Sequence, residues 1–286
     1  MTASARQVFS LARSFLFVPA TRPERFVKAL ASSADAVIID LEDAVAPAEK
    51  VEARNRLARA WPGLSGSERA RVLVRVNPSG TAWHDDDLSL LASLGAGGVV
   101  LPKAEGAAQL VHAAGVLGSE CSLIALVESV AGLDGLDALA RCPQVVRLAF
   151  GNLDFQADAC MACGRDEAEL HPVRLAFVLA SRRAKLAPPV DGVTADIQNV
   201  AQLTNDVERS RRFGFAAKLC IHPTQVAPVN AALAPTPAEL DWARRALAAS
   251  EASGGAVVSL DGRMVDAPVL RMAERAVACA DRRQSG

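Results

Sequence analysis

The sequence has no tyrosine, an absence to which no function attaches; its lack of a basic surplus is more informative. Lys and Arg number 31 against 32 Asp and Glu, leaving a formal net charge of −1, so no cationic face is on hand to hold a nucleic-acid backbone. Long apolar runs are missing too. Hydrophobic residues make up 51% of the chain, but Ala supplies many of them, and the most apolar stretch, 90–102, is interrupted by Gly95, Gly97 and Gly98. A membrane-spanning helix needs about 20 unbroken apolar residues, so none is expected. There is no Ser-His-Asp nucleophile elbow, no phosphate-binding P-loop and no clean dinucleotide-binding glycine pattern. The six cysteines, at 121, 142, 160, 163, 220 and 279, include one CxxC, Cys160-Met-Ala-Cys163. With no second pair to complete a zinc site, they read as reduced thiols of a cytoplasmic protein.

What is present is an alternation. The 286 residues fit one large α/β barrel or two small domains. Apolar runs occur at 15–18, 36–39, 72–76, 98–101, 123–127, 145–150, 192–194 and 217–221. Short continuous runs of this kind suit strands buried on both faces of a parallel sheet. Helical patterns lie between most of them, at 23–32, 47–60, 106–117, 133–140, 167–186, 197–213 and 237–250. Eight strands alternating with helices predict a (β/α)8 TIM barrel over 1–250, with 251–286 as a C-terminal tail or lid. A doubly wound sheet is the alternative. The first 23 residues carry no acid, as in a transit peptide, but a strand already begins near Ser14, so they read as a short disordered or helical lead-in.

The apolar runs end in polar residues. Pro19 and Arg22 follow the first, Asp40, Glu42 and Asp43 the second, and Arg75 lies near the end of the third. Lys103 follows the fourth, Glu128 the fifth, Asp154 the sixth and His222 the eighth. In a barrel these ends converge on the catalytic face. Charges beside apolar runs are costly unless paired or bound to metal. Glu128 and Asp154, on neighbouring strand ends, would form the sparse oxygen site that Mg²⁺ prefers; ion pairs with Arg75 or Lys103 are the plainer reading. Arg75 is suited to grip a carboxylate or enolate oxygen, or else forms a buried pair with Glu42 or Asp43. The Asp40–Asp43 acids also suit a solvated helix start. Lys103 as a Schiff-base lysine and His222 as base or ligand are weaker alternatives.

Eight segments in chain order then resemble one family. They are Arg13-Ser-Phe-Leu-Phe-Val-Pro-Ala20, Ile39-Asp-Leu-Glu-Asp-Ala-Val45, Val74-Arg-Val-Asn-Pro78, Val100-Leu-Pro-Lys103, Ala125-Leu-Val-Glu-Ser129, Phe150-Gly-Asn-Leu-Asp154, Lys218-Leu-Cys-Ile-His-Pro223 and Met264-Val-Asp-Ala-Pro268. The sequence resembles the HpcH/HpaI aldolase and citrate lyase beta-subunit family of the phosphoenolpyruvate/pyruvate barrel superfamily. The resemblance implies Mg²⁺ held by Glu128 and Asp154, with Arg75 on the substrate oxygen and Glu42 and Asp43 behind it. It implies a coenzyme A wall at Phe17, Pro19, Arg22 and Lys28, and Asp266 as an acid/base reaching a neighbouring subunit of a homotrimer or hexamer. Two positions depart from the pattern: Leu153 stands where a polar residue is usual, and Ser129-Val-Ala-Gly132 lacks an Arg.

The expected activity is Mg²⁺-dependent cleavage or formation of a carbon–carbon bond in a 2-hydroxy-acid acyl-CoA thioester of malyl, citramalyl or citryl type. The products of cleavage would be a keto acid and an acyl-CoA. Two alternatives remain: a metal-dependent pyruvate aldolase acting on free hydroxy-keto acids, and a citrate lyase beta subunit active only within a complex.

Overall fold

The computed structural model describes residues 5–284; the side chains at 275, 279 and 281–284, among them Cys279, lie outside the described residues. Eight parallel strands close into a barrel in sequential order. They are β1 (Ser14–Pro19), β2 (Ala36–Asp40), β3 (Val72–Arg75), β4 (Gly98–Leu101), β5 (Ser122–Val127), β6 (Val145–Phe150), β7 (Val190–Asp191) and β8 (Ala217–Cys220). Seven match the expected runs to within one residue at each end. Their residues are buried almost throughout, as strands lined by side chains inside and helices outside require.

The seventh strand differs from expectation. It is Val190–Asp191 rather than 192–194. A polar residue ends the apolar pattern, yet Asp191 is fully buried. Its oxygens are taken by Arg174 Nε at 3.0 Å and by the Ser210 hydroxyl, with Lys218 Nζ 3.9 Å away. Burial opposes ionisation of Asp191, but Lys218 and Arg174 outweigh it and hold the carboxyl below its usual range. Residues 193 and 194 are fixed by side chains instead of a ladder. The Asn152 Oδ1 accepts from Val193 N–H at 2.9 Å, and Thr194 Oγ1 donates to Asp206 at 2.7 Å.

Several helices have no counterpart in the expected set. Helix His84–Ser93 lies between β3 and β4, with Leu88 and Leu91 buried. Its acid-rich start, Asp85-Asp86-Asp87, masks the apolar face in the sequence but suits the positive end of a helix. Helix Val226–Ala232 likewise has no counterpart among the expected helices, and 133–140 divides into Val130–Asp134 and Leu136–Ala140. The lead-in is helical, Ala5–Leu11. Its Phe9 is fully buried in the barrel core with Phe15, Leu73 and Val100. Gly98 makes the room: a Cβ there would fall 2.3 Å from Phe9 Cε2. Buried Arg147 donates to the carbonyls of Ala12 at 2.5 Å and Pro188 at 2.6 Å. Burial pulls its pKa down to about 9, offset in part by Asp35.

The chain separates into two compact units, Met1–Asn230 and Ala231–Gly286. The break expected near 250 falls inside helix Pro237–Ala252, which belongs with the second unit. That unit continues into an antiparallel hairpin, β9 (Val258–Leu260) and β10 (Arg263–Val265), and ends with helix Ala267–Gln284. Asp261 and Gly262, at φ 51° and 74°, make its two-residue turn, the conformation a tight hairpin needs. Among the described residues no helix is long and apolar enough to cross a membrane.

Phe9→Ala should remove the plug of the barrel floor and lower the unfolding free energy by about 3–5 kcal/mol. Urea denaturation checks this; a loss below about 1 kcal/mol would mean that the lead-in helix is dispensable.

Candidate active site

Strand register decides which polar residues meet. β2 and β3 pair so that Asp40 lies beside Arg75. β5 and β6 pair through Val127 and Phe150, which brings Glu128 and Gly151 side by side. Around these ends lies a cleft of about 410 Å³, lined by Phe17, Pro19, Asp40, Asp43, Arg75, Glu128 and Asp154 among others.

Arg75 is 8% exposed. Its Nε and Nη2 each lie 2.7 Å from an oxygen of Asp40, a planar two-point grip. Asp40 is anchored in turn by the N–H groups of Glu42, at 2.9 Å, and Ala44, at 3.0 Å. Nη1 lies 2.9 Å from Glu42 Oε2 and 3.3 Å from Asp43 Oδ2. The Phe17 ring lies 4.7 Å from the guanidinium carbon, a cation–π contact. Burial opposes the Arg75 charge, but Asp40, Glu42 and Asp43 outweigh it and raise its pKa above the ordinary value. The expected pairs of Arg75 with Glu42 and Asp43 are both present, and Asp40 adds the two-point grip that the sequence did not single out. Its position as the last residue of β2 was the available signal.

Glu42 and Glu128 are in a different condition. Burial pushes the Glu42 carboxyl up to about 7, with Arg75 pulling it down and Asp43 and Asp40 pushing it further up. The angle to Arg75 makes no hydrogen bond, so buried Oε2 of Glu42 lacks a donor. Glu128 is pushed up to about 8, chiefly by burial and then by repulsion from Glu42; its backbone hydrogen bond lowers it and Asp154 adds to the rise. That bond comes from Lys103 N–H to Oε1 at 2.9 Å. Lys103 holds a left-handed φ of 48° to make it, and its side chain is exposed rather than desolvated as an amine nucleophile requires. Gly151 lies against Glu128: a Cβ there would sit 2.4 Å from Oε2.

Asp154 is exposed, in the first turn of helix Asn152–Asp158. Glu42, Glu128 and Asp154 form an oxygen-only donor set with an unsatisfied buried oxygen and mutual repulsion. A hard divalent cation such as Mg²⁺ relieves both. Among the described residues these acids do not place three ligand atoms within 4.8 Å of one another, so most of its shell would be water or substrate oxygen, as Mg²⁺ tolerates.

The remaining expected residues lie elsewhere. Arg22 and Lys28 are exposed and do not line the cleft; Arg22 is 3.9 Å from Glu24. Half-buried His222 pairs its Nδ1 with Thr224 Oγ1 at 2.7 Å, the structural role of a capping residue. Asp266, in the second unit, accepts from Val269 N–H at 3.2 Å at the start of the last helix. Leu153 lines the cleft, and Ser129 caps helix Val130–Asp134 through Gly132 N–H. Cys160 and Cys163 are free thiols outside the cleft. Sequence reasoning missed Asn152, whose amide joins the ends of β6 and β7 by donating to Glu167 at 2.8 Å and Val193 O at 3.2 Å.

Residues 13–223 match the model of the HpcH/HpaI aldolase/citrate lyase family. Over 266 residues the chain is 40% identical to a citrate lyase subunit beta-like protein of Mycobacterium tuberculosis, covering 91% of this chain and 92% of that one. It is 33% identical over 257 residues to a (3S)-malyl-CoA thioesterase of Cereibacter sphaeroides, covering 89% of each. The structure resembles that of CitE from Mycobacterium tuberculosis in complex with magnesium, acetoacetate and coenzyme A. The TM-score is 0.83 at 37% identity, over 94% of this chain and 98% of that one.

Asp40→Ala should cost about 3–5 kcal/mol of stability, because it strands a buried charge, whereas Asp43→Ala should cost about 0–1 kcal/mol. Paired denaturation curves check the order. A pH dependence follows as well. Glu42 and Glu128 keep protons in the folded state that the unfolded chain releases near the ordinary glutamate value of 4.5. Their contribution to stability is full below about 4.5 and is lost as pH rises through about 7 and about 8. Metal-free Glu128→Gln should show a shallower decline across that window than the parent; an identical decline would contradict the assignment.

Proposed function

The chain belongs to the HpcH/HpaI aldolase/citrate lyase family, and from that premise we propose that it is a Mg²⁺-dependent carbon–carbon lyase acting on a 2-hydroxy-acid acyl-CoA thioester of malyl, citramalyl or citryl type. The observation that carries the reading is the pairing, at one barrel mouth, of a fixed cation, Arg75, with the acids Glu42, Glu128 and Asp154. Magnesium and coenzyme A, bound together in the related CitE structure, support it.

Glu128 and Asp154 would hold the cation, with Glu42 facing the same site. A bound Mg²⁺ supplies Lewis acidity toward the oxygens of a 2-hydroxy- or 2-oxo-carboxylate. Cleavage removes the hydroxyl proton and breaks the carbon–carbon bond, leaving a keto acid and the enolate of an acyl thioester. Glu42, its carboxyl pushed up to about 7 by burial, is suited to take that proton near neutral pH. Arg75 faces the developing negative oxygen. Already locked by Asp40, it stabilises that charge with little reorganisation. Phe17 and Pro19 form an apolar wall of the cleft, the side on which the resemblance puts coenzyme A. Asp266 of a neighbouring copy protonates the enolate carbon, which requires an oligomer, read here as a homotrimer or hexamer; Arg22 and Lys28 offer exposed cations to coenzyme A phosphates.

The thioesterase relative favours a second reading in which the carbon–carbon bond survives and the thioester is hydrolysed. The products separate the two: cleavage gives glyoxylate or pyruvate plus an acyl-CoA, while hydrolysis gives the free hydroxy acid plus free coenzyme A. We expect malyl-CoA or citramalyl-CoA to release the keto acid with Mg²⁺ and not with EDTA. Arg75→Ala should lower kcat by about 10²–10³ while Mg²⁺ binding persists. Undiminished kcat in that variant would remove Arg75 from the chemistry, and free coenzyme A without keto acid would establish the hydrolase.

A further inference from the structure

A second polar cluster, outside the cleft, joins helix His84–Ser93 to helix Ala107–Leu117. His84 is 3% exposed, and its Nδ1 lies 2.7 Å from the carbonyl oxygen of Asn77. A carbonyl only accepts, so Nδ1 carries a proton, and in the neutral ring Nε2 offers a lone pair. That Nε2 is buried and has no hydrogen-bond partner. The carbonyl is itself fixed, because Asn77 donates to Asp87 through its backbone N–H at 3.0 Å and its side chain at 2.7 Å. Asp86 and Asp87 are both tied to Arg54 at 2.8 Å. Asp85 instead turns to the next helix, where His112 Nε2 lies 2.9 Å from its Oδ1. One ligand atom from each of His84, Asp85 and His112 falls within 4.8 Å of the other two. The two imidazole rings stack with centroids 6.2 Å apart.

We propose that His84, Asp85 and His112 form a second metal site, selective for a divalent transition ion of the Zn²⁺ or Co²⁺ kind. Two imidazoles and one carboxylate are the donors such ions favour, unlike the oxygen-only set at the barrel mouth. A histidine whose other ring nitrogen donates to a backbone carbonyl is the usual arrangement of a metal ligand, with tautomer and ring orientation fixed in advance. A surface pair between Asp85 and His112 alone would leave the buried lone pair of His84 unexplained; an ion gives it a partner. The side chains of His112 and Asp85 are 53% and 80% exposed, so an ion reaches the site from solvent and water fills its remaining positions. The acidic first turn offsets the positive end of the helix that would otherwise repel a cation. Bound there, the metal clips the β3–β4 helix to the β4–β5 helix.

The test uses the full-length protein stripped of metal and returned to excess Mg²⁺, then titrated with Co²⁺ in equilibrium dialysis with visible absorption. One Co²⁺ per chain is expected, with ligand-field bands, no sulfur-to-metal charge transfer, and a raised Tm. His112→Gln and Asp85→Asn change exposed side chains; with far-UV circular dichroism unchanged, each should weaken Co²⁺ at least about 10-fold. The double variant Cys160→Ser/Cys163→Ser should bind as the parent does. Affinity unchanged in the His112 and Asp85 variants, binding abolished by the cysteine changes, or no Co²⁺ retained at sub-millimolar concentration would each overturn the site.

Discussion

Arg75 brings a full positive charge to a strand end that is almost entirely out of water, and the mouth of the barrel is organised around that fact. A guanidinium cannot lose its proton to escape burial, as a lysine can. It must be neutralised where it stands. Asp40 does so with both oxygens, and the N–H groups of Glu42 and Ala44 hold Asp40 in turn. The same loop that satisfies Asp40 delivers Asp43 to the cleft and sets Glu42 against the guanidinium. Structural pairing and chemical equipment thus share one turn of chain.

Once Asp40 has matched Arg75, the remaining acids are in excess. Glu42 and Glu128 are both buried and repel one another, and their carboxyls lie near about 7 and about 8. Such a pair is either protonated or in want of a cation, and the activity proposed above, which binds Mg²⁺ and moves a proton, would use both conditions. The cost is borne locally. Gly151 lets Glu128 approach the backbone of the next strand, and Lys103 holds an unfavourable φ to give it a hydrogen bond.

Burial and charge at the strand ends do not always mean chemistry. Asp191 is at least as deeply buried as Glu42 and Glu128, yet Arg174, Ser210 and Lys218 surround it, and its pKa moves down where theirs move up. That network secures the shortest strand of the barrel. The contrast between a lowered carboxyl on β7 and raised ones after β2 and β5 separates a closed structural pair from a site that still has capacity to bind. Among the histidines, His222 is closed by Thr224, while His84 keeps an unused lone pair.

The alternation of apolar runs and helices determined the barrel, because strands buried on both faces leave continuous Val, Ile, Leu and Ala runs that few other settings allow. It also located the polar residues at the strand ends, and eight motifs in order indicated the family. The sequence did not place the seventh strand, where Asp191 looks like a loop residue until its three partners, distant in sequence, surround it. It did not show helix His84–Ser93, whose acids hide its apolar face, nor that helix Pro237–Ala252 belongs with the following unit. Above all it did not say which acid holds Arg75. The sequence pointed to Glu42 and Asp43; only the register of β2 on β3 sets Asp40 beside the guanidinium, because lateral pairing between strands is a property of the closed sheet and not of either strand alone.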